Sequence, residues 1–175
     1  MTYRVLAAAS AVALLAVLVA GCSGGEGTAL TKQTLRFTER QNDESASFVD
    51  NPPKSSAATG DEPKLSPSDQ LTFTADMLDR SGKDVGDLDA SCIVTATSTG
   101  SFDDSHAQCV GTADIPGGSL TLAVGGKAFG AGTTRGAILG GTGDYAGATG
   151  SFTASDENGT DKPSLDTFRL FVPKQ

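Results

Sequence analysis

Histidine is almost absent from this sequence, since His106 is the only one among 175 residues. It lies beside Asp103 and Asp104, but no serine occurs in the strand-to-helix turn that exposes a hydrolase nucleophile, so a Ser-His-Asp triad is not expected. A zinc site takes several His or Cys ligands, and the three cysteines, accounted for below, provide no such set. We therefore predict no metal and no cofactor.

Basic residues are also scarce. The chain has 13 Lys and Arg against 21 Asp and Glu, which gives a formal net charge of −8. An acidic surface repels polyanions, and this argues against nucleic acid and against anionic lipid headgroups as partners. Attachment to a membrane would then have to come from a covalent lipid.

The sequence lacks an apolar run of the roughly 20 residues that a membrane-spanning helix needs. A shorter apolar segment runs from Val5 to Ala20 after the basic Arg4, and it ends in the sequence Leu-Val-Ala-Gly-Cys at Cys22. This pattern is typical of a secretory signal, and with its cysteine it resembles that of bacterial lipoproteins. The resemblance implies cleavage before Cys22, acylation of its thiol and a lipid-anchored position on the extracytoplasmic face of the cell membrane. A plain transmembrane anchor is the alternative.

These features divide the chain into three parts: a signal peptide at 1–21, a flexible tether at 22–32 and one domain at 33–175. The tether is assigned because the residues from Ser23 to Ala29 are polar and rich in glycine. The third part has the size of one ordinary domain with its own hydrophobic core.

Two cysteines remain for the domain, Cys92 and Cys109. They flank a turn-rich segment, so a hairpin would place them on adjacent strands, and an oxidising exterior favours a disulfide between them. A disulfide closing a loop of this size contributes about 3 kcal/mol of stability in the chain-entropy model. The alternative is that Cys92 is a free catalytic thiol.

No amphipathic helical pattern of convincing length follows the signal segment. Apolar residues alternate with polar ones instead, as in half-buried strands, and turn signals separate these runs at the spacing of a sandwich or barrel. We count about eight strands and predict an all-β fold, an eight-stranded antiparallel up-and-down β-barrel, which has no free edges. The clearest runs are Leu71, Phe73, Ala75 and Met77; Cys92, Val94 and Ala96; Leu120, Leu122 and Val124; Phe168, Leu170 and Val172.

A long polar segment from Gln41 to Ser68 interrupts this pattern. It is rich in Pro, Ser, Asp and Asn, and Phe48 with Val49 is its only apolar anchor, so we expect it not to pack. A loop of this length is usually functional or disordered. Both a lid over the barrel mouth and a disordered segment stay open.

Glycine is concentrated between Ile138 and Gly150. A phosphate-binding loop would lead into a helix, whereas the strand-like Ser151 to Ala154 follows here, so we interpret the segment as a strand, a tight turn and a returning strand. The segment closely resembles the Gly-Gly-Thr-Gly signature of plant dirigent proteins and the related allene oxide cyclases, and landmarks on other strands extend the resemblance from Leu35 to Val172. It implies an eight-stranded antiparallel barrel and, as is common in the family, a homotrimer.

The functional residues of these families correspond only in part. Glu39 stands where dirigents carry a first-strand aspartate, and Arg135 matches a dirigent arginine, but Gly136 stands where the second catalytic aspartate belongs. Thr149 likewise takes the place of an arginine near the end of the glycine signature. Cys92 matches the cysteine of the cyclase site, while most other residues of that site are missing.

We predict that the barrel binds a small apolar or aromatic molecule in its interior, because abundant Ala and Gly fill a barrel poorly. Glu39, Asp76, Arg135 and Tyr145 are expected to face that interior, although each could be an ordinary surface or packing residue. Two other functions stay open: a dirigent-like or cyclase-like enzyme, and a structural barrel that displays loops to a partner at the cell surface. The catalytic candidates are Glu39 and Arg135, and the ligand-binding candidates are Phe73, Asp76, Cys92 and Tyr145.

Overall fold

The structure is a computed structural model that describes residues 29–41, 45–51, 64–102, 104–127, 132–155 and 163–174. Within these ranges the chain forms strands and the short 3-10 turn Gly143–Tyr145. The strands are β1 (Leu30–Gln41), β2 (Ser47–Val49), β3 (Gln70–Leu78), β4 (Asp84–Ala96), β5 (His106–Ile115), β6 (Gly118–Gly126), β7 (Thr133–Gly141), β8 (Thr149–Ser155) and β9 (Ser164–Pro173).

Eight of these strands form a closed antiparallel barrel. Each strand from β3 to β8 pairs with the next one in the chain, β9 pairs with β1, and β1 pairs with β3 to close the sheet. The predicted eight-stranded barrel is thereby confirmed. The short β2 is an additional strand that the sequence pattern does not predict, and it pairs with the start of β3 beyond the point where β1 ends.

The glycine motif closes one end of the barrel. Its turn after β7 packs on the turn between β5 and β6, where Asp144 N donates to Gly117 O at 2.8 Å and Ser119 N donates to Thr142 Oγ1 at 3.0 Å. The first strand starts and the last strand ends here as well. We call this end the closed end and the opposite one the open end.

The hydrophobic core fills the half of the barrel at the closed end. Phe168 is fully buried, and its ring centroid lies 6.0 Å from that of Phe37 and 5.1 Å from that of Phe152. Any space for a ligand must therefore lie toward the open end. The buried cluster consists of Met77, Leu88, Ala113, Ile115, Leu120, Leu122, Ile138, Tyr145, Ala148, Phe152, Phe168, Leu170 and Val172.

The β4–β5 hairpin carries the predicted disulfide. Cys92 and Cys109 are directly opposed in the strand register, with Cα atoms 4.0 Å apart and their sulfurs bonded. The bridge is confirmed, and Cys92 is not a free thiol. In the turn of the same hairpin, hydrogen bonds from Ser98 and from Thr99 lower the pKa of the Asp104 carboxyl.

The end of the polar segment from Gln41 to Ser68 packs on the barrel, contrary to expectation. Leu65 is only 3% exposed, and its backbone N donates to Gly100 O at 2.8 Å. Asp69 is fully buried and accepts hydrogen bonds from the backbone N of Ser66 and of Asn51, at 2.6 and 2.8 Å. Buried backbone partners thus compensate for the polar composition of the segment. Residues 42–44 and 52–63 lie outside the described residues.

The first strand begins at Leu30, inside the segment predicted as a tether at 22–32. Leu30 is opposed to Pro173 and Thr31 to Val172 in the antiparallel pair of β1 and β9. Pairing with the last strand therefore orders residues that have no apolar alternation of their own.

Candidate functional site

Several inward side chains toward the open end of the barrel are only half-buried. Alternate residues of a strand point to the same face, and at the open end some of these residues are half-buried, whereas Cys92, Val94 and Ala107 on β4 and β5 are buried. The half-buried positions on β1, β6, β8 and β9 mark the part of the interior space that solvent reaches, and most of their side chains are apolar. The half-buried inward residues include Phe37, Phe73, Val124, Ala154 and Ser164.

Two carboxylates enter this space from neighbouring strands. Glu39 of β1 is 8% exposed and Asp166 of β9 is 0% exposed. The Ser164 hydroxyl lies 3.2 Å from Glu39 Oε2 and 3.2 Å from Asp166 Oδ1. A hydroxyl has one proton, so it can donate to only one of the two carboxyls at a time. We call Glu39, Ser164 and Asp166 the interior acidic group.

Asp76 and Arg135 do not face the interior, and the expectation that they do is wrong. Asp76 precedes the fully buried Met77 on β3, so it points outward, where it forms a salt bridge with Arg40. The hydrogen bond and charge of Asp76 raise the pKa of the Arg40 guanidinium. Arg135 is exposed on the outer face of β7, because alternation directs Ile138 inward. The structure therefore does not bring Glu39 and Arg135 together.

Tyr145 helps to close the barrel and does not line the open half. It is 7% exposed, and its hydroxyl donates to Pro116 O at 2.7 Å. Burial raises the pKa of this phenol. Phe73 points inward and is half-buried, and Cys92 points inward as half of the disulfide. Ligand-binding roles for Phe73 and Cys92 stay predictions.

Sequence reasoning missed Asp166 and Ser164. The alternation that identifies Phe168, Leu170 and Val172 as inward residues also places Asp166 and Ser164 on the same face when it is extended toward the start of β9. The signal is therefore present in the sequence. It was hidden because a strand pattern is recognised by its apolar residues, and these two inward positions are polar.

No metal site is found in the part of the chain that the structure describes, since no group of three or more His, Cys, Asp and Glu could hold an ion. Two open grooves of about 310 and 300 Å³ lie at the closed end and on the wall around β3 to β5, and neither includes the interior acidic group. Within the described ranges no helix is long and apolar enough to cross a membrane.

The chain belongs to the allene oxide cyclase barrel like domain family, whose model matches residues 52–167. The matched region runs from before β3 into β9 and so contains most of the closed barrel. No curated protein matches the chain by sequence.

Solved structures share this fold at low sequence identity. Pyocyanin demethylase is 21% identical with a TM-score of 0.62, and the match covers 79% of this chain and 99% of that one. A pterocarpan synthase dirigent protein is 15% identical with a TM-score of 0.58, over 84% of this chain and 93% of that one. The Diels-Alderase AbmU from Streptomyces koyangensis is 14% identical with a TM-score of 0.54, over 82% and 69%. At these identities the similarity establishes the fold alone.

Proposed function

We propose that the open half of the barrel interior binds a small apolar or aromatic molecule. The observation that carries this proposal is the incomplete burial of inward residues toward the open end, because Phe37 and Ala154 pack against the core and yet stay half-buried, as does Phe73. A space with one closed end and apolar walls has the usual form of a small-molecule site. Similar barrels that carry the names pyocyanin demethylase and Diels-Alderase give the proposal further support.

The experiment that tests this proposal fills the space with a side chain. Ala154 points inward beside Asp166 in the register of β8 and β9, so in Ala154→Phe a ring would occupy the volume of the ligand. We expect the affinity for the neutral fluorophore N-phenylnaphthylamine to fall at least about tenfold, equivalent to about 1.4 kcal/mol. Fluorescence titration measures this change.

Ala137→Phe is the matched control, because Ala137 is exposed on the outer face of the adjacent strand β7. It adds the same ring to the same sheet without entering the interior, and its affinity should stay at the wild-type value. Equal affinities of the two variants for the fluorophore would contradict the proposal of an interior site.

A second candidate function is a dirigent-like or cyclase-like catalysis, and the interior acidic group favours it. A carboxyl held in a partly apolar pocket is a common general acid or base, and Glu39 is the more exposed of the two carboxylates in the group. Glu39→Gln should then abolish conversion of a bound substrate while leaving its affinity within a few fold. Unchanged conversion by this variant would remove Glu39 from catalysis.

We also propose that the chain is exported and acylated at Cys22 on the extracytoplasmic face of the membrane. The Leu-Val-Ala-Gly-Cys sequence supports this location, and the disulfide between Cys92 and Cys109 is of the kind that persists in oxidising compartments. The denatured mass of the protein purified from membranes tests it, since acylation adds the mass of the lipid to the cleaved chain.

A further inference from the structure

One outer wall of the barrel collects positive charge, although the whole chain carries −8. Lys32 and Arg36 alternate along β1 with inward residues, and Arg169 is opposed to Thr34 on the same outer face. All of these basic side chains are exposed, as is that of Lys174 directly after β9. In the described parts of β1, β8 and β9, no outward position carries a carboxylate.

Two exposed apolar side chains lie among these cations. Leu30 is 55% exposed and Phe171 is 43% exposed, and Phe171 is opposed to Lys32 in the register of β1 and β9. Basic residues combined with exposed aromatic and aliphatic side chains are typical of surfaces that lie at a membrane interface. We call these six residues the basic face: Leu30, Lys32, Arg36, Arg169, Phe171 and Lys174.

The basic face lies where the amino-terminal part of the chain joins the barrel. Lys174 N donates to Ala29 O at 2.8 Å, so the chain reaches β1 beside the end of β9. Seven residues, Ser23 to Ala29, separate Cys22 from the first strand. A segment of that length spans at most about 25 Å, which keeps a lipid on Cys22 close to the basic face.

We propose that the basic face docks on anionic phospholipid headgroups of the membrane that holds the lipid on Cys22. The proposal goes beyond ligand binding in the interior and relies on the proposed acylation only for the proximity of the membrane. The net charge of the chain does not oppose it, because no described outward position of β1, β8 or β9 carries a carboxylate and charges beyond about 10 Å are largely screened. Docking would hold the closed end near the membrane and leave the open end in water.

Vesicle sedimentation of the non-acylated segment from Ser23 to Gln175 tests the proposal. This segment contains the whole closed barrel, and every described contact lies within it. We expect it to bind vesicles of phosphatidylglycerol and phosphatidylcholine, to bind less as salt rises, and not to bind phosphatidylcholine alone. Each basic residue contributes about fivefold to such partitioning, so the triple variant Lys32→Gln, Arg36→Gln and Arg169→Gln should lose about a hundredfold.

The matched control removes the same charge from other surfaces through Arg80→Gln, Lys83→Gln and Lys127→Gln, all at exposed positions. It should keep most of the binding, and circular dichroism verifies that both triple variants are folded.

No binding of the wild type to phosphatidylglycerol vesicles at low salt would overturn the proposal, as would an equal loss in the control. Sedimentation velocity that showed self-association, abolished by the first triple variant, would assign the face to a second copy instead. A failure of the proposed acylation is detected by a different measurement, because the denatured mass of the protein would then lack the mass of the lipid.

Discussion

At the residue scale, Gly143 is a position of the glycine motif that has no room for a side chain. Its φ is 57°, and a Cβ placed there would lie 2.2 Å from Gly117 O. A left-handed conformation costs an ordinary residue about 1 to 2 kcal/mol, and the backbone contact adds to that cost. We predict that Gly143→Ala lowers the free energy of unfolding by at least about 2 kcal/mol, as measured by urea denaturation.

Gly140 provides the control within the same motif, because a Cβ there would meet no atom within 4 Å. Gly140→Ala should change the free energy of unfolding by less than about 1 kcal/mol, and in the stabilising direction if the unfolded chain loses entropy. If both variants unfolded at the same urea concentration, the motif would not close the barrel in the way described.

Single residues were the least predictable level of this protein. The family resemblance predicts Glu39 as a site residue and the structure places it inside, while Asp76 and Arg135 lie on the outer face. A shift of one position along a strand turns a side chain from one face to the other. The burial of Met77 shows that its neighbour Asp76 points outward. The face of a candidate site residue is therefore predicted from the apolar residues next to it on the strand, and not from the residue itself.

At the scale of elements, three carboxylates form a row across the outer faces of β3, β4 and β5. Asp76 is directly opposed to Asp87, and Asp87 is directly opposed to Asp114. Like charges in directly opposed positions destabilise a sheet. We predict that Asp87→Asn raises the free energy of unfolding by about 0.2 to 1 kcal/mol, and that the gain shrinks in high salt.

Asp144→Asn is the control for this row. It removes the same charge, but Asp144 lies in the 3-10 turn at the closed end and not in the row. Denaturation at low and at high salt measures both variants. An equal gain for both would mean that overall charge, rather than the row, limits the stability of the barrel.

Strands with apolar alternation were predictable, and segments stabilised by distant partners were not. The inward residues of β3, β4, β6 and β9 follow from period-two patterns, and the glycine motif identifies the turn between β7 and β8. By contrast, the short β2 and the packed Leu65 lie in a polar segment and depend on partners in β3 and near Gly100. Local sequence carries no signal for such long-range pairing.

At the scale of the whole molecule, the barrel separates its charges and its two ends. The sequence gives a single net charge, which does not reveal that β1 and β9 form a basic wall while the aspartate row lies on β3 to β5. The closed end is next to the point where the amino-terminal segment joins, and the open end is opposite. With the proposed lipid at Cys22, a ligand would enter the open end from water and not from the bilayer.

The most direct test of the central claim is mass spectrometry of the wild-type protein purified gently from its own membranes, under native and denaturing conditions. The account predicts that the native mass exceeds the denatured mass by one small apolar molecule per chain, and that Ala154→Phe prepared in the same way lacks this excess. Identical native and denatured masses for the wild type, together with wild-type affinity of Ala154→Phe for the fluorophore, would contradict a ligand in the barrel interior.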